Sequence, residues 1–293
     1  MNADLRRDLE RFLSAEERTR IVEVGAVGGG SIHAAWRLDL SDGRTLFAKT
    51  GPASVRTMFE CEAAGLDALG QARVLRVPDD ARVGGTDRHG FLVMRHIAAG
   101  NPRRGFFREF GEKFAEFHRR TQHSRCGFAH DNFIGATPQP NPWTDEWCAF
   151  WRDHRLGYQL RLARSGGRSD ATLDRLGDRL LDRLGEWLEV EEPFCLLHGD
   201  LWSGNFLVGA DGEPVLIDPA VYYGHREADL AMTQLFGGFT PEFYRAYEAA
   251  WPLPPGSGER LMIYRLYHLL NHLNLFGRSY AGQCLDILRR LAG

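Results

Sequence analysis

Cysteine is scarce and unpaired in this chain of 293 residues. Its five thiols, Cys61, Cys126, Cys148, Cys195 and Cys284, are odd in number, scattered, and include no CxxC pair. That excludes a disulfide framework and a cysteine-built zinc site, and it leads to an expectation of free thiols in a reducing cytoplasm. Long apolar runs are missing as well, since none approaches the roughly 18 residues of a membrane span. The opening stretch MNADLRRDLERFLSAEERTR is charged throughout and lacks the apolar centre of a signal peptide. There is no excess of charge of one sign. A formal net charge of -3 gives no electrostatic reason to expect nucleic acid or an anionic membrane as partner. Repeats and low-complexity tracts are absent too.

What is present is ordinary globular composition, 43% hydrophobic and 26% charged, in a chain long enough for one large domain or two small ones. Leu5, Leu9, Phe12 and Leu13 fall at helical spacing, so a short amphipathic helix is expected first. Strand-like runs follow: RIVEVGAV, then AAWRLDL and TLFAKT joined by an Asp42-Gly43 turn, a good hairpin signal. A helix is expected from about Val55 to Leu69, and GFLVMRHI reads as a buried strand. Beyond residue 97 the pattern turns helical. Phe106, Phe110, Phe114 and Phe117 mark one helix face, Trp147 to Leu162 and Leu173 to Leu188 read as two further helices, and RLMIYRLYHLLNHLNLF as a long last one. Strands first and helices later imply an α+β protein of two lobes, divided near residue 98.

Four stretches carry chemistry. VGGGSIHAAWRL is a glycine-rich turn between strands, whose backbone N–H groups can approach phosphates closely; a flexible hairpin reads equally well. Lys49 ends the apolar strand LFAKT, a position that also suits a snorkelling surface lysine. Glu60 and Glu62 in MFECEAAGL stand two apart on a helix, so only one of them can turn towards Lys49. The fourth stretch, LLHGDLWSGNFLV with its sequel PVLIDPA, is the most informative. It frames Asp200, Asn205 and Asp218 in apolar runs, although buried polar groups are costly unless paired. Two carboxylates and a carboxamide are hard oxygen ligands suited to Mg²⁺.

Taken together these residues resemble the protein-kinase-like fold, in which a glycine loop, a lysine, a glutamate, a catalytic Asp, an Asn and a metal-binding Asp occur in this order. Asp218 stands eighteen residues after Asp200, as the corresponding pair does there. The departures are informative. Gly199 replaces the arginine that pairs with an activation-loop phosphate, and Trp202 replaces a lysine near the transferred phosphate. Only ten residues separate Asp218 from Asp229, too few for a segment that docks a peptide. Regulation by loop phosphorylation is therefore not expected, and the acceptor should be a small molecule or a modification protruding from a protein.

More closely, the chain resembles the fructosamine (ketosamine) kinase family. GGGSI, FAKT, MFECEAAGL, VMRHI, DNFIGATPQPN, LLHGDLWSGN, DPAVYYGHREADLAM and YHLLNHLNLFG carry the resemblance, over residues 28 to 277. Aminoglycoside and choline kinases share HGD and the later Asp but usually not Trp202. The resemblance implies an antiparallel-sheet N-lobe with one helix (1–97) and a mainly helical C-lobe (98–293). It implies ATP-dependent phosphorylation of the 3-hydroxyl of sugar amines formed by glycation, free or on protein lysines. It selects Glu62 over Glu60.

Under that resemblance Gly28, Gly29, Gly30 and Ser31 would cover the phosphates of ATP. Lys49, held by Glu62, would grip the α- and β-phosphates, and the backbone of Arg95, His96 and Ile97 would meet adenine. Asn205 and Asp218 would bind Mg²⁺, Asp200 would accept the hydroxyl proton, and Trp202 would face the sugar. Some relatives carry a cysteine in the glycine loop; Ser31 stands there here, so no thiol switch is expected. An aminoglycoside or other amino-alcohol kinase is the alternative within the class, and a nucleotide-binding pseudokinase the alternative outside it. His268 and His272, at i and i+4, read as a packed pair rather than a zinc site. Trp143, Trp147 and Trp151 read as core. A monomer is favoured.

Overall fold

The computed structural model describes residues 1–17, 19–28 and 33–293. Gly29, Gly30 and Ser31 of the expected phosphate loop lie outside the described residues. The chain divides into two units. The first comprises Met1–Arg104 with Leu207–Asp218, and the second Gly105–Phe206 with Pro219–Gly293.

In the first unit α1 (Ala3–Glu17) precedes β1 (Ile21–Val27), β2 (Ala34–Leu40), β3 (Thr45–Pro52), α2 (Arg56–Gln71), β4 (Arg82–Gly85) and β5 (His89–Arg95). The strands form one antiparallel sheet in the order β1-β2-β3-β5-β4. The β2–β3 turn is the expected one. Gly43 takes the left-handed φ of +86°, and Asp42 Oδ1 accepts the Arg44 N–H at 3.0 Å. Period-two alternation then assigns the two faces. Leu38, Leu40, Leu46, Ala48, Phe91 and Val93 pack beneath Leu5, Leu9 and Leu13 of α1. The other face, with Leu92, Met94 and Phe47, meets Phe59 and Leu66 of α2. Lys49 is in step with Phe47, and so faces α2.

The second unit begins with α3 (Phe106–Arg120), β6 (Gln122–His123), β7 (Asn132–Ile134) and β8 (Thr137–Gln139). There follow α4 (Trp147–Trp151), α5 (Gly157–Ser165), α6 (Ala171–Arg183), α7 (Gly185–Leu188) and β9 (Phe194–Leu197). β10 (Phe206–Val208) and β11 (Pro214–Leu216) form a hairpin whose residues from Leu207 on join the first unit. There Gly100 N–H donates to Val208 O at 2.9 Å and Leu216 N–H to Arg76 O at 2.8 Å, which carries Asp218 into the first unit despite its distance in sequence. β12 (Tyr222–Gly224), α8 (Glu227–Thr233), α9 (Pro241–Ala250), α10 (Ser257–Phe276) and α11 (Ala281–Ala292) complete the chain.

The phenylalanine stripe of α3 is buried as its spacing predicts, and it packs against Phe243 and Tyr247 of α9. Two expected helices are interrupted. The run from Trp147 passes through a π turn at Arg152–Leu156 before continuing to Ser165. That turn directs the Arg155 guanidinium into the core, 4.1 Å from the Tyr222 ring centroid and 4.5 Å from that of Phe150. The run from Leu173 breaks at Leu184, so that α6 and α7 are separate. A three-stranded sheet, β12-β9-β6, ends at the loop that follows Leu197. No described helix is long and apolar enough to cross a membrane.

Candidate active site

In the first unit three charged side chains meet. Lys49 Nζ lies 2.8 Å from Glu62 Oε1 and 2.7 Å from Asp218 Oδ1. Glu60, by contrast, pairs with Arg56 on the exposed face of α2. Lys49 and Glu62 are 13% and 14% exposed, so their charges act on one another with little screening. Burial alone would lower the Lys49 pKa, but Glu62 and Asp218 outweigh it and hold the group above its ordinary value. Burial pushes the Glu62 carboxyl up, to about 7; Asp218 adds to the rise and Lys49 opposes it. Two carboxyl groups thus share one ammonium.

Asp218 holds φ at +54°, a left-handed conformation unusual for a residue with a side chain. His33, just past the glycine loop, sets its ring edge on Phe59 at 4.9 Å. Burial and the Lys49 charge lower its pKa, with Asp218 opposing. Gly28 is exposed.

At the segment after β5, the Arg95 N–H donates to Asp79 O at 2.9 Å and the His96 N–H to Thr45 O at 3.2 Å. Of the backbone expected to meet a base, the Arg95 and His96 N–H groups are thus engaged elsewhere, and that of Ile97 takes no part in these bonds. A cavity of about 520 Å³ lies at this segment, lined by Arg37, Thr45, Leu46, Arg95, His96 and Ala98.

In the second unit the loop after β9 carries Asp200 and Asn205. Asn205 Nδ2 donates to Asp200 O at 2.8 Å and to Asp200 Oδ2 at 3.1 Å. Both bonds use the amide nitrogen, which turns Oδ1 away as a free acceptor. Two features fix the loop from behind. Asp229 accepts the His198 N–H at 2.7 Å on one oxygen and the Gly199 N–H at 2.8 Å on the other. His118 Nε2 lies 3.3 Å from Asp229 Oδ2, and His118 Nδ1 lies 2.8 Å from Tyr247 Oη, all of it buried. Gly199 has φ +81°, and a Cβ there would stand 2.0 Å from Ala220 O, so no other residue fits.

The Trp202 indole lies over Gly204, where a Cβ would come within 2.4 Å of the ring, and its edge meets Phe236 at 5.7 Å. Phe236 in turn meets His272 at 4.8 Å. His272 is half-buried and bonds through Nδ1 to His268 O at 2.8 Å, while His268 is buried. Trp147 and Trp151 are core, and Trp143 is half-buried against Tyr223.

Sequence reasoning used Asp229 only as the end of a short segment, and it missed His118, Tyr247 and Phe236. A carboxylate inside the apolar run EADLAM was the available signal for Asp229. His118 and Tyr247 are ordinary core residues until the helices are packed, and Phe236 is an exposed aromatic in the bend after α8. Among the described residues no cluster of three or more His, Cys, Asp or Glu could hold a metal by itself. Mg²⁺ is commonly bound through only one or two carboxylates together with substrate phosphates, and Asp218 and Asn205 are oxygen donors of the kind it takes.

An antiparallel sheet with one crossing helix, its lysine paired to that helix, and a largely helical second unit define the kinase-like phosphotransferase fold. An aminoglycoside phosphotransferase solved with AMP-PNP and hygromycin B shares it at a TM-score of 0.67 and 16% identity, over 98% of this chain and 99% of that one. The chain belongs to the fructosamine kinase family, whose sequence profile matches residues 6–292.

It is 41% identical over 283 residues to the chloroplastic protein-ribulosamine 3-kinase of Arabidopsis thaliana, covering 95% of this chain and 85% of that one. It is 40% identical over 274 residues to a Synechocystis protein named "Probable ketoamine kinase", covering 92% and 90%. A candidate fructosamine-3-kinase of Thermobifida fusca superposes with a TM-score of 0.85 at 32% identity, over 96% and 97% of the two chains. The protein is accordingly a phosphotransferase.

Proposed function

We propose that the protein transfers the γ-phosphoryl group of ATP to the 3-hydroxyl of ketosamines, free or carried on protein lysines. It would serve as a cytoplasmic deglycation repair kinase working as a monomer. Residues 1–97 are read as the nucleotide-binding part and residues 98–293 as the catalytic and substrate part. The observation that carries the reading is the Asp200–Asn205 pair, a carboxylate oriented by a carboxamide whose own oxygen is left free. The names of the relatives support the substrate class, and the lysine–glutamate–aspartate cluster of the first unit supports the nucleotide.

The roles follow from chemistry. Gly28 to Ser31 supply backbone N–H groups to phosphates, and Lys49 offers a compact ammonium to the α- and β-phosphates, steadied by Glu62. Ile97 offers its N–H to adenine. Asp218 and the Asn205 oxygen would hold Mg²⁺, which when bound would neutralise phosphate charge. Asp200 orients the acceptor hydroxyl and takes its proton, help worth about 10²–10⁴ in rate. Trp202 presents an apolar face to the C–H side of the sugar.

Asp200→Asn keeps the shape of the side chain and removes the base. ATP binding should stay within twofold, measured by calorimetry, while transfer to a ribulosamine falls by at least a hundredfold. Transfer near the wild-type rate would sink the assignment. Asp218→Ala should instead weaken Mg·ATP binding itself. Turnover of ribulosamines and fructosamines but not kanamycin is expected; equal turnover of kanamycin would overturn the substrate class and leave the kinase reading standing.

A further inference from the structure

The short β7–β8 hairpin and the segment after Asp218 are joined by buried carboxamides that the site described so far does not use. Asn132 Nδ2 donates to Val221 O at 2.7 Å, and Gln139 Nε2 donates to Ala220 O at 3.1 Å and to Asn132 Oδ1 at 2.8 Å. Both side chains are almost wholly buried, at 4% and 1% exposure. Their orientation is fixed from behind. Tyr267 Oη donates to Gln139 Oε1 at 2.7 Å, and Asn141 Nδ2 donates to Asn132 Oδ1 at 3.1 Å. Asn141 Oδ1 is held in turn by Arg155 Nη2 at 2.6 Å, the guanidinium that the π turn directs inward.

Ala220, the anchored residue, is in backbone contact with the catalytic loop. Its N–H donates to His198 O at 2.9 Å, and its carbonyl fills the space where a side chain at Gly199 would be. His198–Gly199 is thus clamped, by Asp229 through its two N–H groups and by Ala220 through its carbonyl and its open side. Asp229 sits on a helix. Ala220 precedes β12 and belongs to no strand, so nothing in regular secondary structure holds it. A core filled by apolar side chains would be at least as stable as one holding three carboxamides, because replacing both partners of a buried hydrogen bond is often neutral. What the carboxamides add is a defined position for two peptide units.

We propose that Asn132 and Gln139 are positioning residues for phosphoryl transfer: they fix Ala220 and Val221, and through Ala220 the backbone that presents Asp200. The loop is then held in its working position by permanent hydrogen bonds, where a regulated kinase uses a switchable segment. The inference rests on the reading of Asp200 as the base.

The test compares three variants of the full chain, Asn132→Ala, Gln139→Met and Gln159→Met. Gln159 is a buried carboxamide of the same core that bonds to Asn271 Oδ1 at 3.2 Å and donates nothing to residues 219–222. Asn132→Ala and Gln139→Met should lower kcat at least tenfold, with KM for ATP within twofold and nucleotide stoichiometry unchanged. Gln159→Met should lower Tm to a similar extent and leave kcat within twofold. Unchanged kcat in the first two, or a loss of kcat that tracks Tm in all three, overturns the proposal. If Asn132→Ala does not fold, Asn132→Ser, which keeps a short donor, replaces it and should recover part of kcat. Asp200→Asn runs alongside. Its full activity would overturn the base reading and this inference together, whereas an inactive Asp200→Asn beside a fully active Gln139→Met overturns the positioning role alone.

Discussion

Lysine is used twice in the chain, at 49 and 113, although Lys and Arg together number 36. The choice at 49 has a physical reason. Two carboxylates approach one nitrogen at 2.7 and 2.8 Å, a geometry that suits a compact ammonium and not a planar fork with five donors. Lys49→Arg should therefore lower kcat/KM for ATP at least tenfold, and Lys113→Arg should stay within twofold, as measured by steady-state kinetics. Trp202 allows a second separation. Trp202→Leu should raise KM for the sugar amine several-fold while KM for ATP moves little; equal movement of both would reduce the indole to loop packing.

The thiols give a third expectation. Burial pushes Cys126 and Cys284 up to about 12 and raises Cys195 and Cys148 as well, so these groups are protonated at neutral pH and poor nucleophiles. Activity should survive oxidant and reductant alike. A reversible loss that disappears in Cys61→Ser would assign a switch to the thiol beside Glu62.

Among the elements, the α3–α9 crossing depends on a single residue. A Cβ at Gly111 would lie 2.2 Å from Phe243 O, so the two helices approach there because one of them lacks a side chain. In an exposed helix Gly→Ala is worth about 1 kcal/mol in favour of the helix. Here the clash is with backbone, which cannot rotate aside, and overpacking of this kind costs about 1–3 kcal/mol. Gly111→Ala should lower the urea midpoint without changing m, and an unchanged or raised midpoint would show that α9 can slide.

The same crossing carries Phe110, Phe114 and Tyr247, and through Tyr247 and His118 it supports Asp229. Loosening it should also lower kcat. The stripe Phe106, Phe110, Phe114 and Phe117 was readable as a helix from its spacing, because burial on one side of a 3.6-residue period leaves that trace. The π turn at Arg152–Leu156 left none. The arginine it turns inward stacks on Tyr222 and bonds to Asn141 and Pro140 O, all outside the helix itself.

For the molecule as a whole, stability should depend on pH through its buried histidines. Burial lowers both His225 and His268 to about 3, and each ring leaves Nδ1 without a hydrogen-bond partner. Their folded pKa values lie below the unfolded value of about 6.5, so the unfolded chain takes up protons that the folded chain refuses. The stability they contribute is complete above pH 6.5 and is lost as pH falls from there towards 3. Each histidine costs about 1.4 kcal/mol per pH unit within that window. The raised Glu62 carboxyl opposes this trend by taking up a proton in the folded state over the same range. The test is therefore differential: between pH 7.0 and 5.5, His268→Asn should lose about 1 kcal/mol less stability, measured by urea unfolding, than the wild-type chain does. A slope unaltered in that variant would show that water or a partner reaches the ring in the folded state.

The sequence by itself determined the class of the fold and the residues at which phosphoryl chemistry is proposed. Strand alternation, the helical stripes and the hairpin turn are local consequences of burying one face, so they survive in the order of residues. The spacing of Asp200, Asn205 and Asp218 survives because all three stand on a loop and a hairpin of fixed length. Tertiary structure alone decided the rest. It put Glu62, which the family resemblance had selected over Glu60, against Lys49, through the side of α2 that meets the sheet. It brought residues 207–218 to the first unit through hydrogen bonds to Arg76 and Gly100. It set His118, Asp229 and Ala220 behind the loop that carries Asp200. Strands as short as β6, β7 and β8, and carboxamides that bond to carbonyls some eighty residues away, have no local signature. Their partners are chosen by the packing of helices around them, and no window of sequence contains both ends of such a bond.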